Sequence, residues 1–346
     1  MKKFATFTTA FATMLCFSQL TCQAWDYEGH RLVNQIALAS LPADFPAFTL
    51  TPEAKERVAF LAGEPDRWRN TTDPTLNHFN GPDHYIDLEQ LDDYGIDPHQ
   101  LTEFRYNFVA QLALARAAHP EKFPAIDPDK NRDQTRQLVG FLPWAIVENF
   151  DKLKSAFSYL KAFESGGGTP EEIANAQANI LYIMGVMGHY VGDAAQPLHA
   201  TKHHHGWVGE NPNGYTTDGG IHALIDGGYF RKIGIPKVGE LKPLIHPAQL
   251  VSLAYPAKDT FSSVTDYILA QQKLVEPLYQ MEKAGKFSGE GEVGHEGKSF
   301  LTGQMIKGGQ MLGDLWLTAW QQAPKDTYLA GQLARRKLAG SKAGNP

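Results

Sequence analysis

The chain has 346 residues, 42% of them hydrophobic and 20% charged, with a formal net charge of −6. That length can bury a sizeable core in one large domain or two smaller ones. The acidic balance excludes the basic footprint of a stoichiometric DNA-binding protein, so an anionic substrate would have to be drawn in by local cations.

The first 24 residues carry Lys2 and Lys3, an apolar stretch from about Phe11 to Phe17, and the small-x-small run Cys22-Gln23-Ala24. This pattern predicts a signal peptide cleaved before Trp25 and a periplasmic or secreted destination. The apolar run falls well short of the roughly 20 residues that span a bilayer, so no transmembrane anchor is expected. Cys16 and Cys22 leave with this segment, and residues 25–346 then contain no cysteine. The exported chain would hold together without disulfides, by core packing or metal.

Helical periodicity starts at once. Leu32, Ile36, Ala37 and Leu41 predict a helix from Glu28 to Ser40 with His30 near its start. Phe104 to Ala118 and Asp133 to Glu164 follow, the second interrupted by Pro143, which should kink or divide it. After Gly166-Gly167-Gly168, the residues Thr169, Pro170 and Glu172 supply an N-cap, an N1 proline and a capping-box acid, opening a helix to about Ala195. Gly185, Gly188 and Gly192 lie on one side of it. Each costs about 1 kcal/mol relative to alanine in a helix interior, so close approach of another backbone or of a site is expected there. Further helices are predicted from Lys258 to about Lys283, broken near Pro277, and from Thr302 to Gln322. No segment alternates at period two, and the predicted fold class is all-α, a single helical domain.

Chemistry-bearing residues concentrate between His189 and Asp226. His189 and Asp193 are four residues apart on a helix, so both point to one face and can hold the same cation. His199 follows Pro197, where that helix must end, and His222 with Asp226 repeats the pair on a second short helix. Upstream, cleavage before Trp25 would create an α-amino group that, with the Trp25 carbonyl and His30, can chelate a metal. The run His203 to His205 reads as a solvated loop or as part of the site mouth.

Together these residues resemble the zinc-dependent S1/P1 nuclease and phospholipase C superfamily. The match rests on Trp25-x4-His30 at a processed N-terminus, on His189-x3-Asp193-x5-His199 with Gly192-Asp193 and Gln196-Pro197-Leu198-His199, and on His222-x3-Asp226. The stretch Gly309-Gln310-Met311-Leu312-Gly313-Asp314-Leu315 is also similar to that family's last helix. The resemblance implies an all-helical domain with three zinc ions in a cleft. One would be held by His189, Asp193, Asp66 and His84, with Asp73 a rival for Asp66. His84 is preferred to His78 because the following Tyr85-Ile86-Asp87 resembles the family's aromatic-Ile-Asp. A second would take Trp25, His30 and the other oxygen of Asp193, and the third His199, His222 and Asp226.

Two such ions lower the pKa of a bridging water and neutralise charge developing on a phosphoryl group, so phosphodiester hydrolysis is the expected reaction. Asp66 would orient that water or accept its proton, as the catalytic residue. The gap from Trp25 to His30, the step from His199 to His222, and Asp226 where phospholipases tend to carry Glu place the chain nearer the nuclease branch. The expected substrate is single-stranded nucleic acid or a nucleotide, with a phospholipid as the alternative. Ala195 stands where such nucleases usually carry histidine, and their Gly-Gly-Asn turn is missing, so base recognition does not carry over. Trp207 and Tyr215, in the loop from Ala200 to Gly219, could stack on a base, contact a lipid, or simply anchor that loop. Arg67, Arg69 and Lys202 are possible phosphate contacts. A reading from another class is an exported zinc-binding protein whose cage is closed and inert.

Overall fold

The structure is a computed structural model that describes residues 25–343, and the expected signal peptide lies outside the described residues. The principal helices are α1 (Tyr27–Ser40), α2 (Pro52–Leu61), α3 (Glu64–Arg69), α4 (Pro74–Asn80), α5 (Arg105–Ala118), α6 (Leu142–Gly166), α7 (Pro170–Ala195), α8 (Gly220–Ala223), α9 (Thr260–Gln272), α10 (Val275–Lys283), α11 (Gly297–Gln321) and α12 (Thr327–Ala343). Among the described residues the sole β pairing is an isolated bridge between Ile86 and Gly140. The fold is all-α. No described helix is long and apolar enough to cross a membrane.

Helix α7 is the centre. It packs against α6 along most of its length and meets α1, α2 and α11 on its other sides. Its start follows from local chemistry: the Thr169 hydroxyl accepts from Glu172 N–H at 3.2 Å and the Glu172 carboxylate accepts from Thr169 N–H at 2.8 Å. Its second half is buried on every side, from Met184 to Ala195.

The three glycines are where neighbours close in. A Cβ on Gly185 would lie 2.4 Å from Leu61 Cβ, one on Gly188 1.7 Å from Asn34 Oδ1, and one on Gly192 2.9 Å from His30 Nδ1. Asn34 is fixed in that position by donating to Val58 O at 2.8 Å and Gly185 O at 3.1 Å. Gly188→Ala is therefore expected to destabilise by about 1–3 kcal/mol through overpacking. Gly303→Ala in α11, where nothing lies within 4 Å, should stabilise by up to about 1 kcal/mol through helix propensity. Urea melts of the two variants check this, and equal stabilities would show that α1 and α7 are not locked together here.

Two predicted boundaries move. Residues 133–141 are not helical, and Pro143 neither kinks nor divides a helix: it sits in the first turn of α6, where its missing N–H costs nothing. The segment before it braces the His84 region instead. Asp87 N–H donates to Val139 O at 2.7 Å, Phe141 N–H to Pro82 O at 2.7 Å and Leu142 N–H to Tyr85 O at 3.1 Å. Gly140 allows this contact with a φ of 96°, since a Cβ there would lie 2.0 Å from Tyr85 O. The later break falls at 273–274 rather than at Pro277, which again occupies the first turn of its helix, α10.

Candidate metal centre

Six segments converge at the C-terminal half of α7. Helix α7 supplies His189 and Asp193, α1 supplies His30, and α3 supplies Asp66. The 3₁₀ turns Gly81–His84 and Pro197–Ala200 deliver His84 and His199. His222 comes from α8 and Asp226 from the π-helical turn Leu224–Gly228 that continues it. Such wide turns recur at functional sites because they re-aim a side chain. All eight residues are buried. They form three groups able to hold a cation: His30, Asp66 and His189; His84, His189 and Asp193; and His199, His222 and Asp226.

The Asp193 carboxylate is shared. Its Oδ1 lies 3.4 Å from His30 Nε2, while Oδ2 lies 3.0 Å from His84 Nδ1 and 3.4 Å from His189 Nε2. His30 and His189 stack with ring centroids 3.8 Å apart, and His189 Nε2 is 3.8 Å from Asp66 Oδ1. His30 thus stands beside Asp66 and His189 as well as beside Asp193. In the third group His222 Nε2 lies 3.1 Å from both His199 Nε2 and Asp226 Oδ2.

Backbone carbonyls set the imidazole tautomers. His189 Nδ1 faces Ala62 O at 2.7 Å, His199 Nδ1 faces His84 O at 2.6 Å, and His222 Nδ1 faces His204 O at 3.1 Å. A carbonyl only accepts, so each Nδ1 must carry the proton and each neutral ring turns its Nε2 lone pair inward. Two lone pairs facing each other 3.1 Å apart, with a carboxylate oxygen beside them, repel unless a cation stands among them. This is the orientation that metal-ligating histidines take. Imidazole nitrogens and carboxylate oxygens without thiolate suit a borderline or hard divalent ion.

Burial acts in the same direction on the imidazoles. It holds His189 down to about 3, with the Arg69 charge adding to the effect. His84 and His199 are likewise held well below the usual histidine range, first by burial and then by neighbouring positive groups. These rings are neutral at physiological pH, as a ligand must be. Burial pushes the Asp193 carboxyl well up, reinforced by Asp66 and Asp226 and opposed by Arg69; a bound dication would reverse that shift.

No model of a known protein family matches this chain, and no curated protein matches it.

The third group opens onto a cleft of about 280 Å³, lined by Arg69, Asn77, Tyr85, Asp133, Thr135 and His205 beside His199 and His222. Arg69 lies on this cleft with its Nε 2.9 Å from Asp66 Oδ1. Arg67 points elsewhere, pairing with Glu64 and lying over the Phe60 ring, and Lys202 is not part of the lining. Asp73, the rival of Asp66, caps α4 by accepting from the Thr75 and Leu76 amides. His78 is exposed and bonded to Asp133 O at 2.7 Å.

Of the three roles open to the loop aromatics, the structure shows the anchoring one. Trp207 lies against His203 at 4.0 Å and 9°, and against Tyr215 and Tyr279. The buried Tyr215 hydroxyl bonds Glu276 at 2.8 Å. Neither ring is offered to a base or lipid. The three consecutive histidines divide their tasks: His203 is in the core, His204 is 3.4 Å from Asp87 and lends its carbonyl to His222, and His205 faces the cleft. Trp25 is fully buried, its indole N–H donating to Gly192 O at 2.8 Å, and the next amide, Asp26 N–H, donates to Asp226 O at 2.8 Å.

Sequence reasoning passes over the grip on Asp226. Gln196 Nε2 donates to Asp226 Oδ1 at 2.7 Å while its Oε1 accepts from Leu198 N–H at 2.6 Å. In the sequence Gln196 is one letter of a motif, with nothing to say which carboxylate it holds. Gln196→Ala is expected to weaken metal binding at the third group by about 10–100-fold, the usual cost of losing an outer hydrogen bond to a ligand. Competition with a chromophoric chelator measures it, and unchanged affinity would show that Asp226 orients itself.

Proposed function

We propose that this protein is an exported zinc-dependent phosphodiesterase of the S1/P1 nuclease and phospholipase C type, acting on single-stranded nucleic acid. The observation that carries the reading is the convergence of the inward-facing nitrogens of His189, His199 and His222 on the carboxylates of Asp193 and Asp226. Zinc bound there would supply a water acidified to near neutral pH and positive charge for phosphate oxygens. The protein residues do the rest. Asp193, placed between groups, holds two positions in register. Asp66, at the edge of the cluster, would accept the proton of the attacking water, with Arg69 Nε 2.9 Å from its Oδ1 orienting the carboxylate. Arg69 also brings the positive charge that an acidic protein needs where an anionic substrate enters.

The cleft favours a nucleotide over a lipid. Besides the candidate ligands it is lined by Asn70, Asn77, Asp133 and Thr135 around Tyr85, with Leu198 its one aliphatic residue. The cleft beside His199 and His222 also argues against an inert store, since it gives an anion access to that group.

Parallel assays of zinc-loaded protein on single-stranded DNA, RNA and phosphatidylcholine test this. Cleavage of the polynucleotides is expected. Release of diacylglycerol instead would move the protein to the phospholipase branch, and inactivity on all three with metal bound would favour the storage reading.

A further inference from the structure

His205 is the one histidine of the consecutive three that neither the core nor a ligand's outer bonds employ. It is exposed on the cleft wall. Its ring centroid lies 4.9 Å from that of His222, the same separation that His199 keeps from His222. The other two cannot substitute for it. His203 Nδ1 accepts from Val208 N–H at 3.0 Å in the core, and the His204 ring, held beside Asp87, lies 6.2 Å from that of His222, farther than His205.

The main chain under His205 is fixed. Gly206 follows with a φ of 92°, and a Cβ there would lie 2.5 Å from the Thr217 backbone. Trp207 N–H donates to Thr216 O at 2.8 Å. The His205 side chain is bonded to the Gly219 backbone, a single contact that it would exchange for the cation. It stands outside the group formed by His199, His222 and Asp226, so joining that group requires its side chain to turn. Three protein ligands leave a tetrahedral ion one position short. The nearest additional imidazole on that side is His205.

We propose that His205 is a fourth, exchangeable ligand of the cation held by His199, His222 and Asp226, displaced when an anion enters the cleft. The inference rests on the metal-binding reading above and adds to it a resting state closed by protein and a working state opened by phosphate. A neutral imidazole and a phosphate oxygen compete for one coordination position, so the anion need only outbid a single nitrogen.

The test compares wild-type protein with His205→Ala, each stripped and then titrated with Zn²⁺ against a chromophoric chelator, and with Co²⁺ followed by visible absorption. The variant should bind one equivalent about tenfold more weakly, with the remaining equivalents unchanged, and its Co²⁺ spectrum should differ at that equivalent. Inorganic phosphate should drive the wild-type Co²⁺ spectrum toward that of the phosphate-treated variant. Equal affinities and identical spectra would overturn the proposal, as would a variant that keeps the metal properties but binds phosphate more weakly, which would make His205 a substrate contact. If neither protein takes up an ion at this group, the metal reading itself fails and the proposal with it, a result distinct from the others because wild type and variant then agree in binding nothing. Because His205 is exposed, the substitution leaves the core intact, and matching melting temperatures of the stripped proteins verify it.

Discussion

On the proposed phosphodiesterase reading, Asp193→Asn should reduce hydrolysis on the order of a thousandfold, the scale on which loss of one preorganised charge-stabilising group is felt. It should also lower the bound metal below three per chain. The carboxylate sits at the end of α7 with one oxygen 3.4 Å from His30 and the other 3.0 Å from His84. An amide of the same shape keeps the packing but offers one weak acceptor oxygen in place of two charged ones. The neighbouring imidazoles would then face a cation with less negative charge to balance it, inside a fully buried site where solvent cannot compensate. Metal analysis of the purified variant beside its rate on single-stranded DNA gives the result. A variant with full metal content and activity within about threefold of wild type would show that Asp193 bridges nothing.

Removal of metal should lower the melting temperature by about 8–16 °C for each ion lost. Each ion at a free concentration a thousandfold above its dissociation constant stabilises by about 4 kcal/mol, and about 1 kcal/mol moves the midpoint of a domain this large by roughly 2–4 °C. The stripped protein should also become acid-sensitive. His189 takes its proton near 3 in the fold but at about 6.5 in the unfolded chain. A lowered folded value means that stability is present above about 6.5 and lost as the pH falls toward 3. His84 and His199 are shifted in the same direction. Asp193 works against them, because its raised carboxyl holds a proton in the fold where the unfolded chain has released it. Within the centre, three imidazoles against one carboxyl make its own contribution to stability rise with pH between about 4 and 6.5, while Asp83 and Asp314, held up to about 6 chiefly by burial, act in the opposite sense elsewhere in the fold. Thermal melts with and without chelator at pH 5 and pH 7.5 measure both effects. Identical melts with and without chelator would mean that the cluster holds no structural ion.

Much of the centre is legible in the chain because it is built on one long helix. A spacing of four brings His189 and Asp193 to one face of α7, Thr169 and Glu172 announce where that helix begins, and Gly185, Gly188 and Gly192 mark where α1 and α2 press against it. Pro197 announces its end, which turns His199 back beneath the same cluster. These are local rules, each acting within a few residues. The misread segments are those whose conformation depends on distant partners. Residues 133–141 carry helical periodicity yet serve as a brace, because their amides and carbonyls bond to the segment around His84. Trp207 and Tyr215 have the chemistry of a stacking platform, but Tyr279 and Glu276 on α10 claim them first.

The sequence by itself determined the helical class, the central helix with its boundaries, and the His and Asp residues able to hold cations, since residue type and helical period act through neighbours along the chain. The resemblance favoured Asp66 over Asp73 and His84 over His78, and the tertiary structure is what brings Asp66 and His84 beside the other ligands while Asp73 caps α4 and His78 stays exposed. It also decided that Asn77, Tyr85, Asp133 and Thr135 wall the cleft, and that carbonyls of Ala62, His84 and His204 aim the imidazoles inward. Those outcomes depend on which distant backbone groups come within about 3 Å of a ring, the distance at which a hydrogen bond forms. Spacing along the chain carries no record of such contacts, because they exist only once the helices have packed.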